Sequence, residues 1–326
     1  MTSPIPIRHP NAKEFISALR RSNDAWWSAD ASSSPWVFRG VGNADEWKLL
    51  PAAWRLDEGN KLEPLYMQIR QCKFELPCDE NADDFSRRYF ERRAAEKEAL
   101  FQFAVLANES GFSVPAFAYA RDRSPLGMNS LETLAETLAE NLREKDTAGN
   151  IDLMALAQHH GIPTRFLDWS VNPMAAAFFA ASPSFRPETS QSICVWALNR
   201  DDVQRSNEEG NDQRKLRVVV HEPPRGNNRY LHAQGGIFTE VKNVKKFVFE
   251  HGRWPSLEDV HSAEAVTWRA LICHQLTSTE VPCLLRLLAR EGMNFAALMP
   301  SLDKIAETVV ARWNYADDPL PSGGGR

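Results

Sequence analysis

The chain has 326 residues, of which 43% are hydrophobic and 25% charged, and its formal net charge is -5 at pH 7. Such a composition belongs to a globular chain with a sizeable core, as one large domain or two smaller ones. It excludes a global attraction to nucleic acid but leaves room for a local basic groove.

The elements follow from apolar periodicity and breakers. "NAKEFISALRRS" reads as a short amphipathic helix with Phe15, Ile16 and Leu19 on its apolar face. "DASSSP" (30–35) is a turn-rich loop, and "WVFRGVG" a β-type run closed by Gly42. "LLPAAWR" (49–55) leads into a charged segment. The stretch 85–108 is strongly helical, with Phe90, Leu100, Phe101 and Ala104 near one stripe and Arg87, Arg88, Arg92 and Arg93 as a solvated face. Amphipathic helices are expected over 130–145 and in "NIDLMALAQHH", the latter ended by Gly161 and Pro163. Then the period changes. "RFLDW" reads as a strand, and "NPMAAAFFAAS" as a buried helix that Asn172 caps and Pro173 opens. Strands are expected at 192–198, 215–222, 235–241, 245–250 and 265–276. Helices are expected at 279–292 and 302–313, with Thr279 and Ser301 as caps. The segment 200–214 reads as a polar loop, and 317–326 as a disordered tail. Helices followed by a strand-rich half point to an α+β fold. The expected organisation is one domain over 1–316: a helical segment at 85–160, a strand-rich core at 161–276 and C-terminal helices at 279–313.

Cys72, Cys78, Cys194, Cys273 and Cys283 contain no C-x-x-C pair, which argues against a disulfide framework and a zinc site and fits a cytoplasmic protein. No secretory signal or membrane-spanning run is visible, so no membrane partner is expected. Phosphate-loop, dinucleotide-fingerprint, zinc-protease and nucleophile-elbow motifs are all missing. His159 and His160 lie about 100° apart on a helix and do not face one metal together; no metal is expected. What stands out is "ALAQHHGIPTRFLDWSVNPMAAAFFAAS", which sets polar side chains between stretches of buried helix. Arg39 and Arg165 lie in apolar, strand-like contexts, where an arginine is either paired or waiting for an anion. The guanidinium fork suits phosphate, and Gly40 allows close backbone approach. The residues leave two readings open. In one, Arg165 pairs with Asp168, His159 bonds a backbone group and Arg39 fastens the first strand. In the other, these groups line a pocket.

Phe38-Arg39-Gly40, "QHHGIPTRFLDWSVNPMAAAFFA", "RYLHAQGGIF" and "LLRLLAREGMNFAALMPSLDKIA" together resemble the FRG domain family over roughly residues 14 to 313, with Met299 standing where the family's closing turn has phenylalanine. A second likeness is to the ADP-ribosyltransferase fold, which implies a mixed or antiparallel sheet core with a helical insertion. It also implies NAD as substrate, for ADP-ribosyl transfer to a protein or nucleic acid acceptor or for NAD hydrolysis, in the setting of a bacterial toxin or anti-phage effector. By that resemblance Arg39 holds the NAD phosphates beside Gly40. Ser170 or Thr164 takes the hydroxyl position, Phe38 or Trp169 stacks on a ring, and His159 bonds within the pocket. Gln234, Glu240 or Asp168 addresses the ribose; a glutamine there lacks the charge that would stabilise a cationic sugar. The alternative is a non-catalytic module that binds a nucleotide or a macromolecule. Arg39, Ser170 and Gln234 are expected nearest the ligand, with Arg165 and Asp168 mostly scaffold.

Overall fold

The computed structural model describes residues 4–28, 32–55, 60–71, 84–114, 148–182, 190–209, 215–223, 235–263 and 270–316. The helix expected at 130–145, Gln234, Cys72, Cys78 and the tail at 317–326 lie outside these residues.

The fold is α+β, built on a seven-stranded mixed sheet. In chain order its strands are β1 (Ile7–His9), β2 (Trp36–Val41), β3 (Leu167–Ser170), β4 (Ser192–Asn199), β5 (Arg217–His221), β6 (Gly236–Lys242) and β7 (Leu271–Thr277). Their spatial order is β1-β7-β4-β2-β3-β6-β5; β1 runs parallel to β7 and every other neighbour is antiparallel. Strand alternation sends Val37, Leu167, Trp169, Cys194, Trp196 and Ile237 into one core layer. The opposite face receives Phe38, Ile193, Val195 and Ala197.

Helices cover both faces. On the second face lie α1 (Ala12–Leu19), α5 (Pro173–Ala181) and α9 (Val281–Arg290). α5 is buried nearly all round, as its alanine-rich composition dictates. Asn172 caps it, accepting from the Met174 amide at 3.0 Å, and Pro173 occupies the first turn. The remaining helices are α2 (Glu63–Gln71), α3 (Asp84–Glu109), α4 (Ala148–His159), α6 (Arg200–Glu209), α7 (Val244–His251), α8 (Leu257–Ala263), α10 (Phe295–Leu298) and α11 (Leu302–Ala316). α3 and α4 pack together over Phe166 and Phe238 in a third cluster. Gly161, at φ 88°, ends α4 in the left-handed region that suits glycine.

Four sequence expectations need correction. Residues 245–250 are helix α7, not a strand: Val244 and Val248, one turn apart, are both buried, and left-handed Asn243 and Gly252 bracket the helix. The polar segment after Asn199 is helix α6, with Asn199 Oδ1 accepting from the Asp201 and Asp202 amides and Val203 buried. The helix expected from Thr279 begins at Val281 after a short tighter turn, and Thr279 bonds Thr277 instead of capping it. The arginine face of α3 is solvated only in part: Arg87 and Arg88 are exposed, whereas Arg92 is half-buried over the Tyr66 ring and beside Glu63.

Candidate functional site

The sheet opens at its centre. β2 and β4 pair through six register positions and β3 and β6 through four, but β2 and β3 share only Phe38↔Ser170. Beyond that pair the two strands diverge, and the divergence forms a cleft of about 350 Å³. β2 contributes Arg39 and Gly40, β3 contributes Asp168 and Ser170, β6 contributes Phe238, and α4 contributes Gln158 and His159.

Arg39 spans the opening. Its Nη1 donates to the Asp168 carbonyl oxygen at 2.8 Å and lies 2.7 Å from Asp168 Oδ1. The guanidinium thereby satisfies a backbone acceptor at the point where strand pairing stops. Both contacts run through Nη1; among the described residues nothing bonds Nε or Nη2. The Arg39 side chain is 15% exposed and that of Asp168 64% exposed, so the pair is anchored on the arginine side and open on the carboxylate side. Desolvation in the cleft opposes ionisation of Asp168, but the charge and hydrogen bond of Arg39 outweigh it and hold the carboxyl below the usual aspartate range.

Behind Asp168 runs a polar relay. Gln158 Nε2 donates to Asp168 Oδ1 at 3.1 Å, and the fully buried Thr164 hydroxyl donates to Gln158 Oε1. Thr164 Oγ1 also accepts from the Phe166 amide, and its carbonyl accepts from Ala53, so Thr164 is a fastening and not a cleft-lining residue. Ser170 is buried, its hydroxyl accepting from the Asn172 amide at 2.9 Å at the entry to α5. The His159 ring borders the cleft. Burial and neighbouring His160 push its pKa down, against the pull of Asp168.

The aromatic residues singled out in the sequence border the cleft but are buried. Phe38 packs edge-on against Trp26, and Trp169 donates its indole N–H to Thr239 at 2.8 Å. The exposed ring at the cleft is Trp47, at 42%. Gly40 is the contact point of β2 with α5: a Cβ there would lie 2.0 Å from the Ala176 carbonyl oxygen. Trp47, Lys48, Arg55 and Phe179 line the cleft without having been singled out, and no motif in the sequence flags them.

Arg165 does not pair with Asp168. Its amide donates to Glu96 Oε1 at 2.8 Å and its Nε to both Glu96 oxygens at 3.0 Å, turning the side chain toward α3. Its Nη1 lies 3.8 Å from Glu240 Oε1. Glu240 also meets His221 at 3.0 Å and Lys242 at 2.6 Å. Burial opposes its ionisation, yet these partners hold its pKa below the usual glutamate range. Glu240 is thus tied into a buried ion cluster and does not line the cleft.

No helix among the described residues is long and apolar enough to cross a membrane. Neither curated proteins nor solved structures yield a match to the chain. Residues 118–189, which include the Gln158–Asp168–Ser170 wall of the cleft, match the model of the FRG domain: the chain carries an FRG domain.

Proposed function

We propose that the cleft binds a phosphate-bearing nucleotide, with NAD as the substrate, and that the protein cleaves its nicotinamide–ribose bond for hydrolysis or ADP-ribosyl transfer. The observation that carries this reading is Arg39, anchored through Nη1 with Nε and Nη2 facing no described partner. An arginine fork held on one side is pre-organised for the bidentate, charge-assisted hydrogen bonds that phosphate accepts. Lys48 and Arg55 add positive charge around the same space, and Trp47 offers a ring for stacking. A volume of about 350 Å³ suits the reacting half of a dinucleotide better than the whole.

In this reading Asp168 is the catalytic carboxylate. Loss of nicotinamide leaves positive charge on the ribose, and an ionised, exposed carboxylate in the cleft stabilises that charge as it develops. Gln158, bonded to Oδ1, is a positioning residue. The acceptor is water, a protein or a nucleic acid. In this reading the activity is that of a bacterial toxin or anti-phage effector acting in the cytoplasm.

One observation favours a second reading, a nucleotide-binding module without turnover: Arg39 already neutralises Asp168, which reduces the charge available to a cationic sugar. Nicotinamide release from NAD, with and without cell lysate, separates the two. Release that falls at least tenfold in both Arg39→Ala and Asp168→Asn supports the enzyme. Binding without release by the folded wild type supports the module.

A further inference from the structure

A cleft of about 350 Å³ takes the reacting half of a dinucleotide and leaves the other half outside it. The loop that follows β2 is built to meet that outer half. It places Trp47 and Lys48 next to each other on the border of the cleft, both exposed. Trp47 is the one exposed tryptophan among the described residues. Among those residues no ring stacks on it and nothing accepts from its indole N–H, and no carboxylate meets the Lys48 ammonium.

The backbone under these two side chains is fixed at both ends. The Oδ1 of buried Asn43 accepts from the Asp45 and Glu46 amides at 3.3 Å and 3.2 Å, and its carbonyl oxygen accepts from the Trp47 amide at 3.1 Å. Beyond Lys48, the Leu49 side chain is fully buried and its amide donates to the Glu258 carboxylate at 3.0 Å. A ring on so constrained a loop has little freedom left to lose when it stacks. The acidic neighbours are turned elsewhere: Asp45 accepts from the Ser192 hydroxyl at 2.8 Å, Glu46 accepts from the Asn43 side chain at 2.9 Å, and neither borders the cleft. An aromatic face beside an ammonium group remains at the rim. A heteroaromatic base stacks on such a face, and its phosphate accepts a charge-assisted hydrogen bond from such a cation.

We propose that Trp47 and Lys48 form an outer subsite of the cleft that takes the adenylate half of the dinucleotide, with the adenine on Trp47 and Lys48 at the adjoining phosphate. This subsite selects dinucleotides over mononucleotides. The inference rests on the reading of the cleft as a nucleotide site held by Arg39.

The test is calorimetric titration of NAD and of nicotinamide mononucleotide into the full chain, as wild type, Trp47→Ala, Trp47→Phe, Lys48→Ala and Arg39→Ala. The wild type should bind NAD at least tenfold more tightly than the mononucleotide. Trp47→Ala should weaken NAD at least fivefold and leave the mononucleotide within twofold of wild type. Trp47→Phe, which keeps a ring, should restore most of the affinity for NAD, and Lys48→Ala should weaken NAD at least threefold. NAD binding that needs Arg39 but is indifferent to Trp47→Ala and Lys48→Ala would overturn the outer subsite and leave the nucleotide reading standing. Equal weakening of both ligands by Trp47→Ala would do the same. No binding of NAD by the folded wild type would overturn both.

Discussion

Arg39 and Arg165 each sit in a short apolar run, and nothing local in the sequence distinguishes them, yet the fold gives them different work. Arg165 and Glu96 are both buried and bonded through three Arg165 nitrogens. Arg39 meets a carboxylate that is largely in solvent. Removing one member of a buried pair strands the other charge, so Glu96→Ala should lower the unfolding free energy by about 3–5 kcal/mol, measured by urea denaturation. Arg39→Ala should cost less than about 1 kcal/mol in the same assay, because solvent screens an open pair; a loss as large as that of Glu96→Ala would make Arg39 a fastener. Gly40 offers a third contrast. It reads in sequence as a place for a ligand to approach, but the approaching group is helix α5, and the clash of a new Cβ with the Ala176 backbone should make Gly40→Ala destabilising by about 1–3 kcal/mol or more, seen as a lowered Tm. The presence of an arginine needing a partner was legible in the sequence. Which partner was not, because Glu96 lies 69 positions away and only the packing of α3 against α4, just before Arg165, brings it near.

At the scale of elements, the sequence signal was strong where one signal dominated. β2, β4, β6, α3 and α5 lie within one or two residues of their expected limits, since in each one signal, apolar strand composition or helix-forming composition, runs unbroken over its length. It failed at "KKFVFE", where a short apolar run fits a strand and a helix alike; burial of Val244 and Val248, one turn apart on the same face, decides for the helix. It failed at α6 because "RDDVQRSNEE" has low hydropathy and a single buried anchor, Val203. The divergence of β2 from β3, which makes the cleft, leaves no trace in either strand. Asn172 joins element to site, since it caps α5 while its own amide holds Ser170. Asn172→Ala should lower stability by about 1 kcal/mol, with Asn172→Asp restoring most of it, measured by thermal unfolding.

Across the whole molecule, the sheet is closed at one edge by β1, and a histidine pair joins that strand to β7. His9 Nε2 lies 2.9 Å from His274 Nδ1, and the rings stack at 5.2 Å. Burial, with help from His9, lowers the His274 pKa to about 4 from 6.5. A histidine whose folded pKa is depressed binds fewer protons folded than unfolded, so its stabilisation is complete above about pH 6.5 and is lost as pH falls toward 4. Over that window the wild type should lose about 3 kcal/mol of stability to this group. His274→Asn should flatten the dependence in urea unfolding at pH 7 and pH 4.5; an equal slope in both proteins would assign the acid sensitivity elsewhere.

The central claim for the molecule is that the opening between β2 and β3 is a nucleotide site held by Arg39. Its most direct test is the affinity for NAD of wild type and of Arg39→Ala, by calorimetry, with both proteins shown folded by circular dichroism. Saturable binding by the wild type, weakened at least tenfold in the variant, is the predicted result. Equal affinity in a folded variant, or no binding by the wild type, would contradict it.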